Sequence, residues 1–476
     1  MMLGLRRRAF LSGCCGLAAA PLLVACGLFS KPVPQQPAPS PTPSPPTPTV
    51  TPTRAAVRID TPVPPPTVTA VSGTLRATPT TNPALRGNGQ LLYAGVLGGV
   101  GGIILADLAT DKRQLLTVGN YKYLAWAPDG SRFAAIGVGG AELSIQQVAI
   151  FAADGRPLAR IPIPLARQID PQLLWSPNSR ALLYRVGDPT TGTPTAWIID
   201  EEGQRPLLLD PDAMLWRWTP GGRLAYITLS ARNASPSAQS PATLWTIAAA
   251  GDDPRQVASG AFYPIALSPD GATLYTVGGF RALTAGNTRI GSVTMLLALD
   301  PARGMSRTLL DFNAVAAGET AWLAYADAAP VTGLLAVLRG SIAVAAQQNT
   351  IGVTNEVIVL DTAGQEVAHD LPWEGDSGIS PFYWSPHGVR VAYHVQTVGG
   401  GGSELRALDI NGGTRSVYRV RAADPRDGVL AAWSTDDRWL AYVDGPPTGL
   451  LIAEFGQARV YPFAADGNFP AWRPQQ

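Results

Sequence analysis

Six carboxylates recur along this chain shortly before a repeated Trp or the residue standing in its place: Asp170, Asp212, Glu319, Asp376, Asp427 and Asp466. If the loops that carry them converge, such a ring attracts a metal cation, a basic peptide or another cationic partner. Two of them about 5 to 10 Å apart would have the geometry of an acid and base acting on glycans, as in a hydrolase or lyase. The same residues are also those that turns prefer, and Asp170-Pro171, Pro211-Asp212 and Asp427-Gly428 read equally well as turn chemistry.

Other reactive sets are thin. Gly375-Asp376-Ser377-Gly378 has the lettering of a serine nucleophile loop, but the chain holds only three histidines, His369, His387 and His394, and no motif places an Asp partner beside one of them. A turn between two strands explains the tetrapeptide better. No Gly-x-Ser-x-Gly elbow occurs. His387 and His394 lack carboxylate or thiol companions at a spacing typical of metal sites, so they read as surface or half-buried imidazoles. The chain is therefore expected to need no cofactor and not to be an enzyme.

The elements that would position these residues are set by a recurring corner. Trp126-Ala127-Pro128-Asp129-Gly130 returns as Trp175-Ser176-Pro177-Asn178-Ser179, Trp218-Thr219-Pro220-Gly221-Gly222, Leu267-Ser268-Pro269-Asp270-Gly271 and Trp384-Ser385-Pro386-His387-Gly388. Trp433-Ser434-Thr435-Asp436-Asp437, a worn copy from Ala328 to Val337, and Trp472-Arg473-Pro474 complete the series. Pro presets φ for the second turn position and Gly accepts the left-handed conformation that closes it, so each corner joins two strands. Apolar runs such as Leu224-Ala225-Tyr226 and Val391-Ala392-Tyr393 follow, as half-buried or buried strands require. Third strands end in Asp-rich turns at Asp200, Asp300, Asp361 and Asp409, and a shorter fourth strand precedes the next Trp.

Four antiparallel strands per unit, repeated radially, predict an all-β β-propeller. Leu91-Leu92-Tyr93 and Ile103-Ile104-Leu105 look like second and third strands lacking a first, which Trp472-Arg473-Pro474 would supply. The C-terminal strand then joins the N-terminal blade, closes the ring and removes the free sheet edges. That count is eight blades, or seven if the unit near Ala328 is an insertion. A Trp at one strand position in blade after blade is best explained by packing between neighbouring blades rather than by sugar stacking.

These corners resemble the WD40-like propeller repeats of TolB-type envelope proteins, which also occur in the propellers of prolyl-oligopeptidase-type enzymes. The resemblance covers about residues 87–476. It implies a binding platform more often than an enzyme, and the likeness to the peptidases is confined to the propeller.

The N-terminal residues imply an address. Arg7 and Arg8, followed by Phe10-Leu11 and an apolar stretch, resemble a twin-arginine export signal, and Leu23-Val24-Ala25-Cys26 resembles a bacterial lipobox. By that resemblance residues 1–25 are a signal peptide, and Cys26 becomes the lipidated amino terminus, held on a membrane by its acyl chains. Cys14 and Cys15 would leave with the signal, and with them any disulfide or thiolate metal site. Residues 26–86, rich in Pro, Thr and Ser, cannot bury a core and read as a stalk for the propeller at 87–476. With 36 basic and 35 acidic residues there is no charge excess to attract nucleic acid. The expectation is a noncatalytic lipoprotein on the extracytoplasmic side of a bacterial envelope, binding an envelope protein or polymer. The alternative is a glycan hydrolase or lyase using channel-face carboxylates.

Overall fold

In the computed structural model the described residues are 89–139, 144–166, 172–187, 194–200, 207–208, 213–229, 241–261, 263–285, 288–300, 302–311, 319–345, 350–370, 373–374, 382–396, 403–411, 415–420, 431–444, 449–457 and 459–474. Within them the chain is all-β, in eight separate antiparallel sheets. Blade 1 is assembled from both ends of this stretch: Gln90–Leu97, Val100–Asp107 and Lys112–Val118 follow one another, and Asn468–Trp472 pairs with Gln90–Leu97 as the first strand. The ring is thus closed by the C-terminal strand, and no blade is left with an unpaired inner strand.

The other seven blades begin with Tyr121–Trp126, Gln172–Trp175, Ala213–Trp218, Tyr263–Leu267, Glu319–Ala328, Tyr383–Trp384 and Ala431–Trp433. The unit around Ala328 is a full blade, which decides for eight over seven. Its outer strand comes in two pieces, Glu366–His369 and Trp373–Glu374, both paired with Thr350–Leu360. First strands of neighbouring blades touch one another at several joints, including the closing joint of Asn468–Trp472 with Tyr121–Trp126, so they form the inner wall of the ring.

The core is divided among the joints between blades. In Gln90–Leu97 alternate residues face opposite neighbours. Leu91 and Tyr93 pack with Trp439 and Ala441 of blade 8, while Leu92 and Ala94 pack with Phe133 and Ala135 of blade 2. Both faces of each sheet are buried, which is why the second strands read as nearly continuous apolar runs rather than alternating ones. Leu91, Leu92, Ile103 and Ile104 are fully buried, and each such side chain contributes roughly 1.5–3 kcal/mol through removal from water.

The corners have the expected chemistry. In the first, the Gly130 amide donates to the Ala127 carbonyl at 2.9 Å, Gly130 has φ of 63°, and the Asp129 carboxylate accepts from the Ser131 amide at 3.0 Å. Ser179 and Asp437 adopt the same left-handed conformation without being glycine, with φ of 60° and 58°. Each uses its side chain to reach the preceding corner. Ser179 Oγ accepts from the Asp129 amide at 3.0 Å, and Asp437 Oδ2 lies 2.8 Å from His387 Nδ1.

Candidate functional site

The inner wall is built by one repeated contact. The indole Nε1 at each corner donates to the carbonyl of the residue that precedes the equivalent Trp position in the blade before. Trp126 reaches Ala471 at 3.2 Å, Trp175 reaches Ala125 at 3.1 Å, and Trp218 reaches Leu174 at 2.9 Å. Trp384 reaches Asp327 at 3.4 Å, Trp433 reaches Tyr383 at 2.9 Å, and Trp472 reaches Ala432 at 3.0 Å. The fixed register of the tryptophans is therefore that of a structural ladder between blades. Two rungs lack an indole, because Leu267 and Ala328 stand at the Trp position in blades 5 and 6.

The residues just before the Trp position are Ala125, Leu174, Arg217, Ala266, Asp327, Tyr383, Ala432 and Ala471. Two of the eight are charged, and they meet. Arg217 Nη2 of blade 4 donates to Asp327 Oδ1 of blade 6 at 3.0 Å and to the Ala328 carbonyl at 2.9 Å, while Nη1 lies 3.5 Å from the Ala329 carbonyl. The side chain thus passes blade 5, whose corner carries the small Ala266 and Leu267 where an indole is absent. The missing rungs and the charged pair fall at the same place.

Both side chains keep about a quarter of their surface accessible, 23% for Arg217 and 27% for Asp327. Burial dominates the electrostatics of Asp327 nonetheless. It raises the carboxyl to about 6, even though the Arg217 guanidinium and a backbone hydrogen bond at Ala328 both pull the other way. Burial raises the phenol of Tyr275 in blade 5, packed against Ala326 and Ala328, although Arg217 pulls it down, so it stays neutral. The pair is chemically a fork of N–H donors beside a carboxyl that exchanges its proton in the mildly acidic range.

The carboxylates singled out in the sequence are placed less decisively. Asp170, Asp212, Asp376 and Asp427 lie outside the described residues, as do Cys26, Arg7, Arg8 and the Gly375–Gly378 tetrapeptide. Glu319 opens the inner strand of blade 6. Asp466 is exposed in the turn before Asn468–Trp472, where its Oδ2 accepts from the Val96 amide at 2.9 Å and ties that turn to a hairpin of blade 1. Among the described residues no group of three or more His, Cys, Asp or Glu side chains is arranged to hold a metal ion. Arg217 and Asp327 escaped sequence reasoning, which scanned the loops for acids. Aligning the eight corners and asking which residue breaks an apolar column would have found both.

Outside the inner wall, Asp370 is a second buried charge. Its carboxylate accepts from Arg406 at 2.8 Å and from the Tyr393 hydroxyl, joining blade 6 to blade 7. With its Oδ2 held by two donors and its side chain fully covered, this group braces a joint between blades. His369 is exposed beside Glu366, and His394 is half-buried, its imidazole lowered to about 4 by burial.

No family model and no curated protein matches the chain. Solved structures similar to it include an oligogalacturonate lyase in complex with manganese, at 12% identity and a TM-score of 0.45, covering 78% of this chain and 98% of that one. A prolyl endopeptidase is similar at 14% identity and a TM-score of 0.47, covering 80% of this chain and 54% of that one. TolB from Acinetobacter baumannii is similar at 14% identity and a TM-score of 0.33, covering 72% and 82%. One expectation is corrected by these structures. The sequence reading that the chain is not an enzyme does not stand, because a lyase and prolyl endopeptidases are among the proteins it is similar to. The missing motifs exclude only the reactions those motifs serve, and a propeller builds its sites from residues brought together by the ring.

Proposed function

We propose that this protein is exported through Arg7 and Arg8, anchored by lipid at Cys26 and displayed on the 26–86 stalk, and that its propeller binds an envelope protein or polymer along the inner edge of the ring. The observation that carries the binding reading is the Arg217–Asp327 pair. The other residues just before the Trp position are uncharged, and the pair spans from blade 4 to blade 6 across the two rungs that lack an indole. A ring closed on itself holds such a site rigidly, which lowers the entropy lost on binding.

The anchor is tested by labelling cells with radioactive palmitate: wild type should incorporate label, and Cys26→Ser should not. Binding is tested by crosslinking intact cells that carry a tagged protein, with Arg217→Met/Asp327→Asn in a parallel strain. A partner captured by wild type and lost in the double variant supports docking at the inner edge. Equal capture from both strains rejects it.

A second reading, a hydrolase or lyase acting on glycans, is favoured by one observation. A carboxyl raised to about 6 and partly accessible is suited to give and take a proton near neutrality. Release of reducing sugar or unsaturated product from an envelope polysaccharide, abolished by Asp327→Asn, would support it. No product from any polymer in an extract, alongside specific capture, would leave binding alone.

A further inference from the structure

We infer that Arg217 is the centre of an acid-gated oxyanion site on the inner edge of the ring, closed by Asp327 when that carboxyl is ionised and opened when it is protonated. The inference rests on the inner edge being a binding surface and adds the ligand class, a carboxylate, sulfate or phosphate group.

The geometry separates what holds the guanidinium from what occupies it. Two backbone carbonyls, Ala328 at 2.9 Å and Ala329 at 3.5 Å, anchor the fork from blade 6 irrespective of the state of any side chain. Asp327 Oδ1 at 3.0 Å is the one contact in the set that changes with protonation. When it is neutral, the carbonyls still keep the fork in place, and its charge faces an edge where both side chains remain about a quarter accessible, 23% and 27%. A fixed, partly desolvated guanidinium without a counter-charge is a site for an oxyanion, which can take two parallel N–H bonds from it.

A simple brace between blades 4 and 6 is the competing role, and it is a poor one. Burial outweighs the attraction of Arg217, since the carboxyl is raised rather than lowered, so the ionised pair is costly where a brace should be favourable. Among the described residues, few groups face Asp327 across its neighbours. Arg217 comes from blade 4, the neutral Tyr275 from blade 5, itself within the fields of Asp270 and Arg307, and blade 7 contributes the Trp384 indole on the Asp327 carbonyl. The proton of the gate is the one on Asp327.

The size of the gate follows from population arithmetic. With the carboxyl at about 6, roughly nine-tenths of the sites are open at about pH 5 and roughly 3% at about pH 7.5, so apparent affinity should fall about 30-fold between the two. The test is calorimetric titration of the intact protein with sulfate and, separately, with formate, both ionised throughout this range. Wild type should bind about 30-fold more weakly at the higher pH, taking up close to one proton per anion there. Asp327→Asn should bind at both pH values with the acid affinity of wild type, and Arg217→Met at neither. Arg217→Lys, which keeps charge but not the fork, should bind more weakly than wild type at the acid limit. Preference for sulfate over formate would mark tetrahedral groups as the natural ligand, and the reverse would mark carboxylates. The inference is overturned if Asp327→Asn stays as weak at neutral pH as wild type, or if Arg217→Met with an unchanged circular dichroism spectrum binds as well. Anion binding that persists while cell capture fails would reject the envelope reading and leave the site standing.

Discussion

Replacing the closing indole tests whether the C-terminal strand completes the ring. Trp472 is nearly buried, at 8% exposure, and its Nε1 donates to the half-buried Ala432 carbonyl at 3.0 Å. Trp472→Phe removes that hydrogen bond, worth about 1 kcal/mol, and leaves the carbonyl partly unsatisfied. The smaller ring also forfeits apolar contact worth about 1 kcal/mol. The expected loss is about 2–3 kcal/mol, and Trp472→Ala should lose about 4–6 kcal/mol because a cavity opens as well. Trp218→Phe is the internal standard, since its rung to Leu174, at 2.9 Å, has the same geometry but joins blades 3 and 4, far from the seam. Guanidinium unfolding followed by far-ultraviolet circular dichroism, which does not depend on the altered chromophore, reads both. Equal losses mean that the seam is held like any other joint. If both Trp472 variants cost under about 0.5 kcal/mol while Trp218→Phe costs about 2 kcal/mol, the C-terminal strand does not close the ring in solution and the eight-bladed assembly is wrong.

Further predictions concern backbone and protons. Gly449 has φ of 63°, and a Cβ there would lie 2.2 Å from the Ala464 carbonyl oxygen, so Gly449→Ala should lower stability by at least about 2 kcal/mol in the same assay. Burial depresses His394 to about 4 from an ordinary 6.5; its neutral form is the one the fold accepts, so stability should fall as pH drops from about 6.5 towards 4, by up to about 3 kcal/mol. His394→Phe should remove that slope. Asp327 has the opposite sign: its carboxyl is raised from 3.8 to about 6, so its contribution falls as pH rises across that interval, again by up to about 3 kcal/mol, and Asp327→Asn should flatten it. The two slopes nearly cancel in wild type between about pH 4 and 6, so single variants should each uncover the other's. Ser179→Ala deletes the hydroxyl that accepts the Asp129 amide at 3.0 Å between adjacent corners and should cost about 1 kcal/mol on thermal unfolding.

The corners show how far the amino-acid sequence determines this protein. Trp-x-Pro-Asp-Gly is local chemistry: Pro128 fixes one dihedral, Asp129 binds the next amides and Gly130 takes the left-handed turn, so the hairpin is written in five consecutive residues. Its repetition, with a last Trp lacking partners and first strands lacking a leader, was enough for the propeller, its closure and its packing indoles. Even the weak unit at Ala328 kept its strand spacing and proved to be a blade. The charged edge was illegible for the opposite reason. Arg217 and Asp327 are 110 residues apart, each ordinary in its own strand, and they become a pair only because the ring brings blade 4 to blade 6 across the small residues of blade 5. The raised carboxyl has the same origin, since burial is a property of the assembled wall and not of any segment. Periodicity carries a fold along a chain, whereas a site made between distant repeats exists only once the ring has closed.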